Sequence, residues 1–247
     1  MSKNFCIANW KMYLNNKESI DFINDFKKKD LNKNSKVVIC PSFLSIRDVT
    51  SLVDDFPLSI GAQDVSSERI GPYTSQISID TLEEAGCSYC ILGHSEKRLH
   101  SNETNEHINK KLKVINRSEI VPIICIGESL NDKKNNITEK VLKNQLEAIF
   151  ANIELNSTKD CIIAYEPLWA IGTGRSADKK TIKSCHNFIK KIIQKLTQNN
   201  RNIYLLYGGS VDETNASNIL SIENVDGFLV GSASIKSNSF YNIYNKF

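Results

Sequence analysis

Three ionisable side chains in this sequence each follow a short apolar run, where a strand would deliver them to one end of a sheet. Glu166 comes directly after Ala164-Tyr165. A carboxylate in that place is costly to bury unless it is paired or used, and partial desolvation makes it a stronger base. His94, in Gly93-His94-Ser95-Glu96, is suited to donating a hydrogen bond to a carbonyl oxygen or to shuttling protons. Lys11, in Asn9-Trp10-Lys11, is suited to holding an anionic substrate and stabilising negative charge that develops on oxygen. Taken singly, each has a structural alternative: a surface Lys after a strand, a satisfied core His and a salt-bridged strand-end Glu.

Glycines accompany them. Tyr207-Gly208-Gly209-Ser210 and Gly231-Ser232-Ala233-Ser234 follow two later apolar runs. Gly in those places lets backbone N–H groups approach a phosphate. After Glu166 comes Pro167-Leu168-Trp169-Ala170-Ile171-Gly172-Thr173-Gly174. Pro167 stiffens one end, two glycines free the other, and the apolar Ala170-Ile171 between them favours being covered, so the segment reads as a lid. It has neither the P-loop nor the dinucleotide-binding spacing. His94, His100 and His107 lie near Glu96, Glu103 and Glu106. On a helix that spacing does not bring three ligands to one point, so no metal is expected. The pair Cys87 and Cys90 has no second pair with it, and the seven cysteines read as small hydrophobes.

The elements that must position these groups alternate along the chain. Phe5–Ala8, Val37–Cys40, Leu58–Ala62, Tyr89–Leu92, Val121–Ile126, Cys161–Tyr165, Ile203–Tyr207 and Gly227–Val230 are nearly continuously apolar, as parallel strands buried on both faces are. Helical stripes lie between them: Val141, Leu142, Gln145, Leu146, Ile149, Phe150 and Ile153 form one, and Ile182, Cys185, Phe188, Ile189, Ile192, Ile193 and Leu196 another. Ser19–Phe26, Leu44–Val53, Asn105–Ile115 and Asn215–Ile222 are shorter candidates. Eight strand–helix units in 247 residues predict an α/β fold, a closed (β/α)8 barrel forming one domain over 1–247. Reactive groups in such a barrel gather at the C-terminal ends of the strands, where all three ionisable residues fall. The longest stretch without pattern, Asp64–Ser78, reads as a functional loop.

Composition restricts the partners. Of the residues 40% are hydrophobic and 24% charged, and the net charge is only +3, which predicts neither nucleic-acid nor membrane binding. There is no apolar run of about 18 residues, and the N-terminus lacks the apolar core of a signal peptide, so a cytoplasmic location is expected.

At these residues the chain resembles the triosephosphate isomerase family over essentially its whole length. Asn9-Trp10-Lys11, Gly93-His94-Ser95-Glu96, Ala164-Tyr165-Glu166-Pro167, Trp169-Ala170-Ile171-Gly172-Thr173-Gly174, Tyr207-Gly208-Gly209-Ser210 and Gly231 stand in the family's order and near its spacings. The resemblance implies a TIM barrel that interconverts dihydroxyacetone phosphate and glyceraldehyde 3-phosphate, as in glycolysis, without a cofactor. It implies Glu166 as the base, neutral His94 as hydrogen-bond donor to the substrate oxygens, and Lys11 and Asn9 as stabilisers of an enediolate. Ser95, Glu96, Cys125 and Tyr207 would support them, Glu96 as a second carboxylate near Lys11. The N–H groups of Gly172, Ser210, Gly231 and Ser232 would bind the phosphate, and the lid would extend through Arg175 and Ser176 to Ala177. The 64–78 loop would insert into a partner subunit, giving a homodimer with Gln63, Tyr73, Thr74 and Arg98 at or behind the interface. An Arg98–Glu103 ion pair would stand behind it.

Several positions depart from the family's pattern. Ser232 replaces a second Gly, Arg175-Ser176-Ala177 replaces Lys-Thr-Ala, and Asp64, Ser75 and Gln76 stand where Asn, Gly and Glu are usual. Two other readings fit the fold: an isomerase or lyase for a larger sugar phosphate, and a non-catalytic binding protein. The apolar Ala170-Ile171 favours a small enclosed substrate over the first, and the presence of Lys11, His94 and Glu166 argues against the second.

Overall fold

Eight short parallel strands, each hydrogen-bonded to the next, close on themselves in the computed structural model, which describes residues 4–31, 35–153, 160–171, 176–197 and 202–247. They are β1 (Asn4–Asn9), β2 (Ser35–Cys40), β3 (Leu58–Ala62), β4 (Tyr89–Leu92), β5 (Val121–Ile126), β6 (Cys161–Tyr165), β7 (Ile203–Tyr207) and β8 (Gly227–Val230). The ring closes where β1 pairs with β8, in the register Phe5↔Gly227 to Ala8↔Val230. Six strands have the bounds expected from their apolar runs; β1 and β2 extend slightly beyond theirs.

Near-continuous hydrophobicity follows from the two environments each strand meets. Phe5, Ile7, Val38, Cys40, Ile91, Ile123 and Cys125 pack inside the barrel. Their neighbours Cys6, Ala8, Val37, Ile39, Cys90 and Ile124 belong to the layer between strands and helices. No strand residue of this central region meets water, so the alternation of a half-exposed sheet is missing.

The outer ring holds α1 (Asn16–Phe26), α2 (Ile46–Ser51), α3 (Ile79–Glu84), α4 (Ser95–His100), α5 (Asn105–Ile115), α6 (Leu130–Lys134), α7 (Thr138–Ile149), α8 (Lys179–Leu196), α9 (Ala216–Leu220) and α10 (Ser237–Tyr244). In α1, Asn15 accepts the N–H of Glu18 while the Glu18 side chain accepts that of Asn15. This reciprocal cap sets the start, and Ser19, Phe22, Ile23 and Phe26 turn one face to the core. In α8, Asp178 caps the start and Ile182, Cys185, His186, Ile189 and Ile193 are buried. The sequence pattern showed no helix at α3, α4, α6 or α10. The first three span one or two turns, too short to display a period, and α10 carries its buried Phe240, Ile243 and Tyr244 among Ser and Asn. Among the described residues no helix is long and apolar enough to cross a membrane. All seven cysteines are free and buried, within the packed layers rather than at a reactive surface.

Candidate active site

Asn9, the last residue of β1, is followed by Trp10, whose indole N–H donates to the carbonyl of Ser234 at 3.1 Å and whose ring packs edge-on against Phe22. With Trp10 anchored outward, the chain turns sharply and Lys11 takes φ +51, a conformation rare for a side chain of its size. Neighbours hold it there. Asn9 Oδ1 accepts the Lys11 N–H at 3.0 Å, and the Gln63 amide donates to the Lys11 carbonyl at 2.8 Å and to the Cys40 carbonyl at 3.1 Å. The ammonium pairs with Glu96 at 2.6 Å. Burial pushes the Glu96 carboxyl up, but the Lys11 hydrogen bond and charge outweigh it and keep the group below its ordinary range.

His94 leaves β4 at the start of α4. Its Nδ1 accepts the N–H of Glu96 at 3.2 Å, so that nitrogen carries no proton and Nε2 does. Nε2 lies 3.2 Å from Glu166 Oε1, and the Ser95 N–H donates to Glu166 Oε2 at 3.0 Å. Glu166 thus sits just past β6, 2% exposed, with both oxygens engaged by the β4–α4 turn. Cys125 lies beneath it; burial and then the Glu166 carboxylate push that thiol well above its ordinary range, so it is inert packing. Gly208 guards the other flank, since a Cβ there would fall 2.8 Å from Glu166 Cγ.

Asn9, Lys11, His94, Glu166, Ser210, Gly231 and Ser232 line one cleft at the mouth of the barrel. Gly231 borders the ammonium: a Cβ on it would lie 3.5 Å from Lys11 Cε. Ile171 also faces this cleft, and Ala170 beside it is fully buried. Pro167, Leu168 and Trp169 are fastened to the loop after β5. The Leu168 N–H donates to the Glu128 carbonyl at 3.1 Å, and the Trp169 indole N–H donates to Glu128 Oε1 at 2.7 Å. At the far end of the segment, past Ser176, the Ala177 N–H donates to the Tyr207 hydroxyl at 2.9 Å. Gly172, Thr173, Gly174 and Arg175 lie outside the described residues, so the N–H expected of Gly172 is not placed.

Sequence reasoning missed Glu128, 1% exposed, which also accepts from the Tyr165 hydroxyl at 3.1 Å. Burial pushes its carboxyl up, against the pull of the Trp169 and Tyr165 hydrogen bonds. The signal was present: Gly127-Glu128 follows an apolar run as Tyr165-Glu166 does. Gln63 takes part in the site from beneath Lys11, its amide engaged within the chain.

The expected Arg98–Glu103 ion pair is not formed. Arg98 instead donates to the carbonyls of Gly93 and Cys125 at 2.8 and 3.1 Å and to Asn105 at 2.7 Å. Glu103 pairs with Lys111, which also binds Asp64 at 2.5 Å; Asp64 in turn reaches Lys97 at 3.1 Å. The buried Lys111 thus has two anionic partners, and Glu103 is one of them. Tyr73 and Thr74 stand exposed at the tip of the 64–78 loop, away from the cleft lining.

A closed parallel barrel that brings a carboxylate, an imidazole and an ammonium to the C-terminal ends of its strands has the architecture of a barrel enzyme. The sequence profile of the family described as triosephosphate isomerase matches residues 4–247. The chain is 39% identical over 246 residues to the triosephosphate isomerase of Dictyoglomus turgidum, covering 98% of this chain and 99% of the relative. It is 37% identical over 247 residues to that of Alkaliphilus oremlandii, covering 99% and 100%. With that of Buchnera aphidicola it shares 38% over 247 residues, covering 98% and 97%. The chain belongs to the triosephosphate isomerase family.

Proposed function

We propose that this cleft interconverts dihydroxyacetone phosphate and D-glyceraldehyde 3-phosphate through an enediolate, with Glu166 as base, His94 as neutral acid and Lys11 as stabiliser of negative charge. The observation that carries the assignment is the 3.2 Å approach of His94 Nε2 to Glu166 Oε1 inside the cleft that Lys11 lines. A proton on carbon beside a carbonyl is weakly acidic, so a base alone is insufficient. Glu166 takes that proton while the Nε2–H of His94 and the Lys11 ammonium meet the charge arriving on oxygen. Fixed donors of this kind contribute roughly 3 kcal/mol each, and a positioned base roughly 100- to 10,000-fold. Glu166 then returns the proton to the neighbouring carbon, and His94 moves the hydroxyl proton between the two oxygens. A neutral imidazole suits that exchange, because its conjugate is basic enough to take the proton back.

Asn9, Ser210, Gly231, Ser232 and Gly172 are assigned to substrate binding, the last four through backbone N–H groups on the phosphate. Residues 167–177 are assigned as the lid, which keeps water from the enediolate. Ser95, Glu96, Cys125 and Tyr207 act as supports. The reading includes a single barrel domain in the cytoplasm, assembled as a homodimer. Exposed apolar side chains on three successive loops support the dimer: Met12 after β1, Leu44 after β2 and Ile70 after β3, each at least 90% exposed. The partner's Thr74 loop would cover that side.

A coupled assay of glyceraldehyde 3-phosphate turnover, with the mass of the purified chain in solution, tests both parts. Turnover and twice the 27.8 kDa chain mass are expected. No turnover removes the catalytic assignment, and a monomer at working concentration removes the dimer.

A further inference from the structure

Gln145 interrupts the apolar stripe of α7, whose buried members are Leu142, Leu146 and Ile149. Its half-buried amide is engaged at both ends by one residue: Nε2 donates to the Gly127 carbonyl and Oε1 accepts the Gly127 N–H, both at 2.9 Å. Gly127 is the first residue past β5, where the pairing with β6 has ended at Ile126↔Tyr165. A side-chain amide therefore supplies the donor and acceptor that a neighbouring strand would otherwise provide.

What rests on Gly127 is the backbone of Glu166. A Cβ at position 127 would fall 1.8 Å from the Glu166 carbonyl oxygen and 3.3 Å from its Cα. The Glu166 N–H donates to the adjacent Ile126 carbonyl at 2.7 Å. Ile126-Gly127 is thus the surface against which the Glu166 main chain is set, and Gln145 holds the end of that surface.

We propose that Gln145 is a positioning residue for the reaction: by fixing both polar groups of Gly127 it fixes where the Glu166 carboxylate sits. It touches no reacting atom. Its influence passes through main-chain contact, and a displacement of about 1 Å in a reacting group costs on the order of 100-fold in rate. A side chain that merely tied α7 to β5 would change stability without regard to what stands at position 166.

The inference rests on Glu166 being the base, and a double-mutant cycle in the full chain separates the two. Gln145→Met keeps length and removes both hydrogen bonds. It is expected to lower kcat about 10- to 100-fold with KM within about twofold, because the Gln145 amide bonds to Gly127 and Gln145 is not among the residues that line the cleft where Ser210, Gly231 and Ser232 would hold the phosphate. In a Glu166→Gln background the same change is expected to alter kcat by less than about twofold, since there is no base left to misplace. Gln145→Glu retains the acceptor for the Gly127 N–H and loses the donor; it should fall between, and it carries the cycle if the Met variant does not fold. Parent-like kcat in both variants, or the full loss repeated in the Glu166→Gln background, overturns the role of Gln145 and leaves Glu166 standing. Unchanged kcat in Glu166→Gln alone overturns the base assignment and this inference with it.

Discussion

The same strands begin and end in opposite chemistry. At the floor of the barrel, Phe5 meets Tyr204 and Tyr89 edge-on, with ring centroids 4.9 and 6.4 Å apart, and Lys36 donates to the Tyr89 hydroxyl at 3.3 Å. The aromatic rings there gain by leaving water. At the mouth, β1 delivers Asn9 and Lys11, β4 delivers His94 and β6 delivers Glu166, which is 2% exposed. Burying those groups costs free energy, and the surrounding network offsets it: Glu96 for Lys11, the Ser95 and His94 N–H groups for Glu166, Gln63 for the turn at Lys11. A parallel barrel can do this because all its strands point one way, so costly groups collect at one end while the other supplies the packing that holds them.

If the ends divide the work, mutations at each should separate stability from turnover. Phe5→Ala should have the largest effect, about 3–5 kcal/mol of stability from the lost ring and the cavity it leaves, while KM and kcat of the folded fraction stay near parent. Chemical denaturation and assay of one sample measure both. A collapse of turnover in fully folded protein would show that the floor tunes the mouth. Lys11→Met should do the reverse: turnover falls about 100- to 1,000-fold, as for loss of one fixed charge-stabilising donor, with little change in the unfolding midpoint. A large stability loss here would mean that the Lys11–Glu96 pair is structural.

Two histidines sharpen the comparison further. His94 faces the cleft, whereas His186 on α8 is fully buried behind the strand that carries Glu166, its ring edge-on to Tyr165. His186 Nδ1 lies 2.7 Å from the Asn224 carbonyl, and its Nε2 has no hydrogen-bond partner among the described residues. Burial pushes the imidazole down from 6.5 to about 4, against the hydrogen bond to Asn224. The folded state therefore binds fewer protons than the unfolded chain between those values. The stabilisation is complete above pH 6.5 and is lost as pH falls toward 4, by about 3 kcal/mol over the whole interval. Denaturant midpoints from pH 6.5 down to 5, above most carboxylate titrations, should decline in the parent and decline less in His186→Gln. Equal slopes in the two proteins would remove His186 as the cause.

The legibility of this molecule follows the same division. Strands were readable because a parallel strand buried on both faces leaves an unbroken apolar run, and the residue just past each run marked the mouth. That rule found Lys11, His94 and Glu166. Applied to Gly127-Glu128 it would also have found the anchor of Trp169. Other features had no local signature. Short helices such as α4 and α6 are made by caps and tertiary packing rather than by periodicity. His186 hides within a helix that reads as amphipathic without it. The pairing of Glu103 with Lys111 in place of Arg98 shares that ammonium with Asp64, which arrives from a loop 39 residues earlier in the chain than Glu103, a meeting that the fold and not the local sequence brings about.

The smallest predicted effect lies between the two ends. Tyr207 closes β7, and its buried hydroxyl accepts the N–H of Ala177, where the segment after Glu166 rejoins the barrel. Burial pushes the phenol up to about 12, so the hydroxyl stays protonated throughout the working range. Tyr207→Phe keeps the ring and leaves one buried N–H unpaired, which should lower stability by about 1 kcal/mol. Because Tyr207 supports the mouth from below without lining the cleft, turnover should change by no more than about fivefold, with no added pH dependence between 6 and 9. Thermal midpoints and kcat over that range measure both. A loss of turnover as deep as that of Lys11→Met, at unchanged stability, would move Tyr207 from the supporting layer into the reacting one and shift the boundary between floor and mouth down by a full strand position.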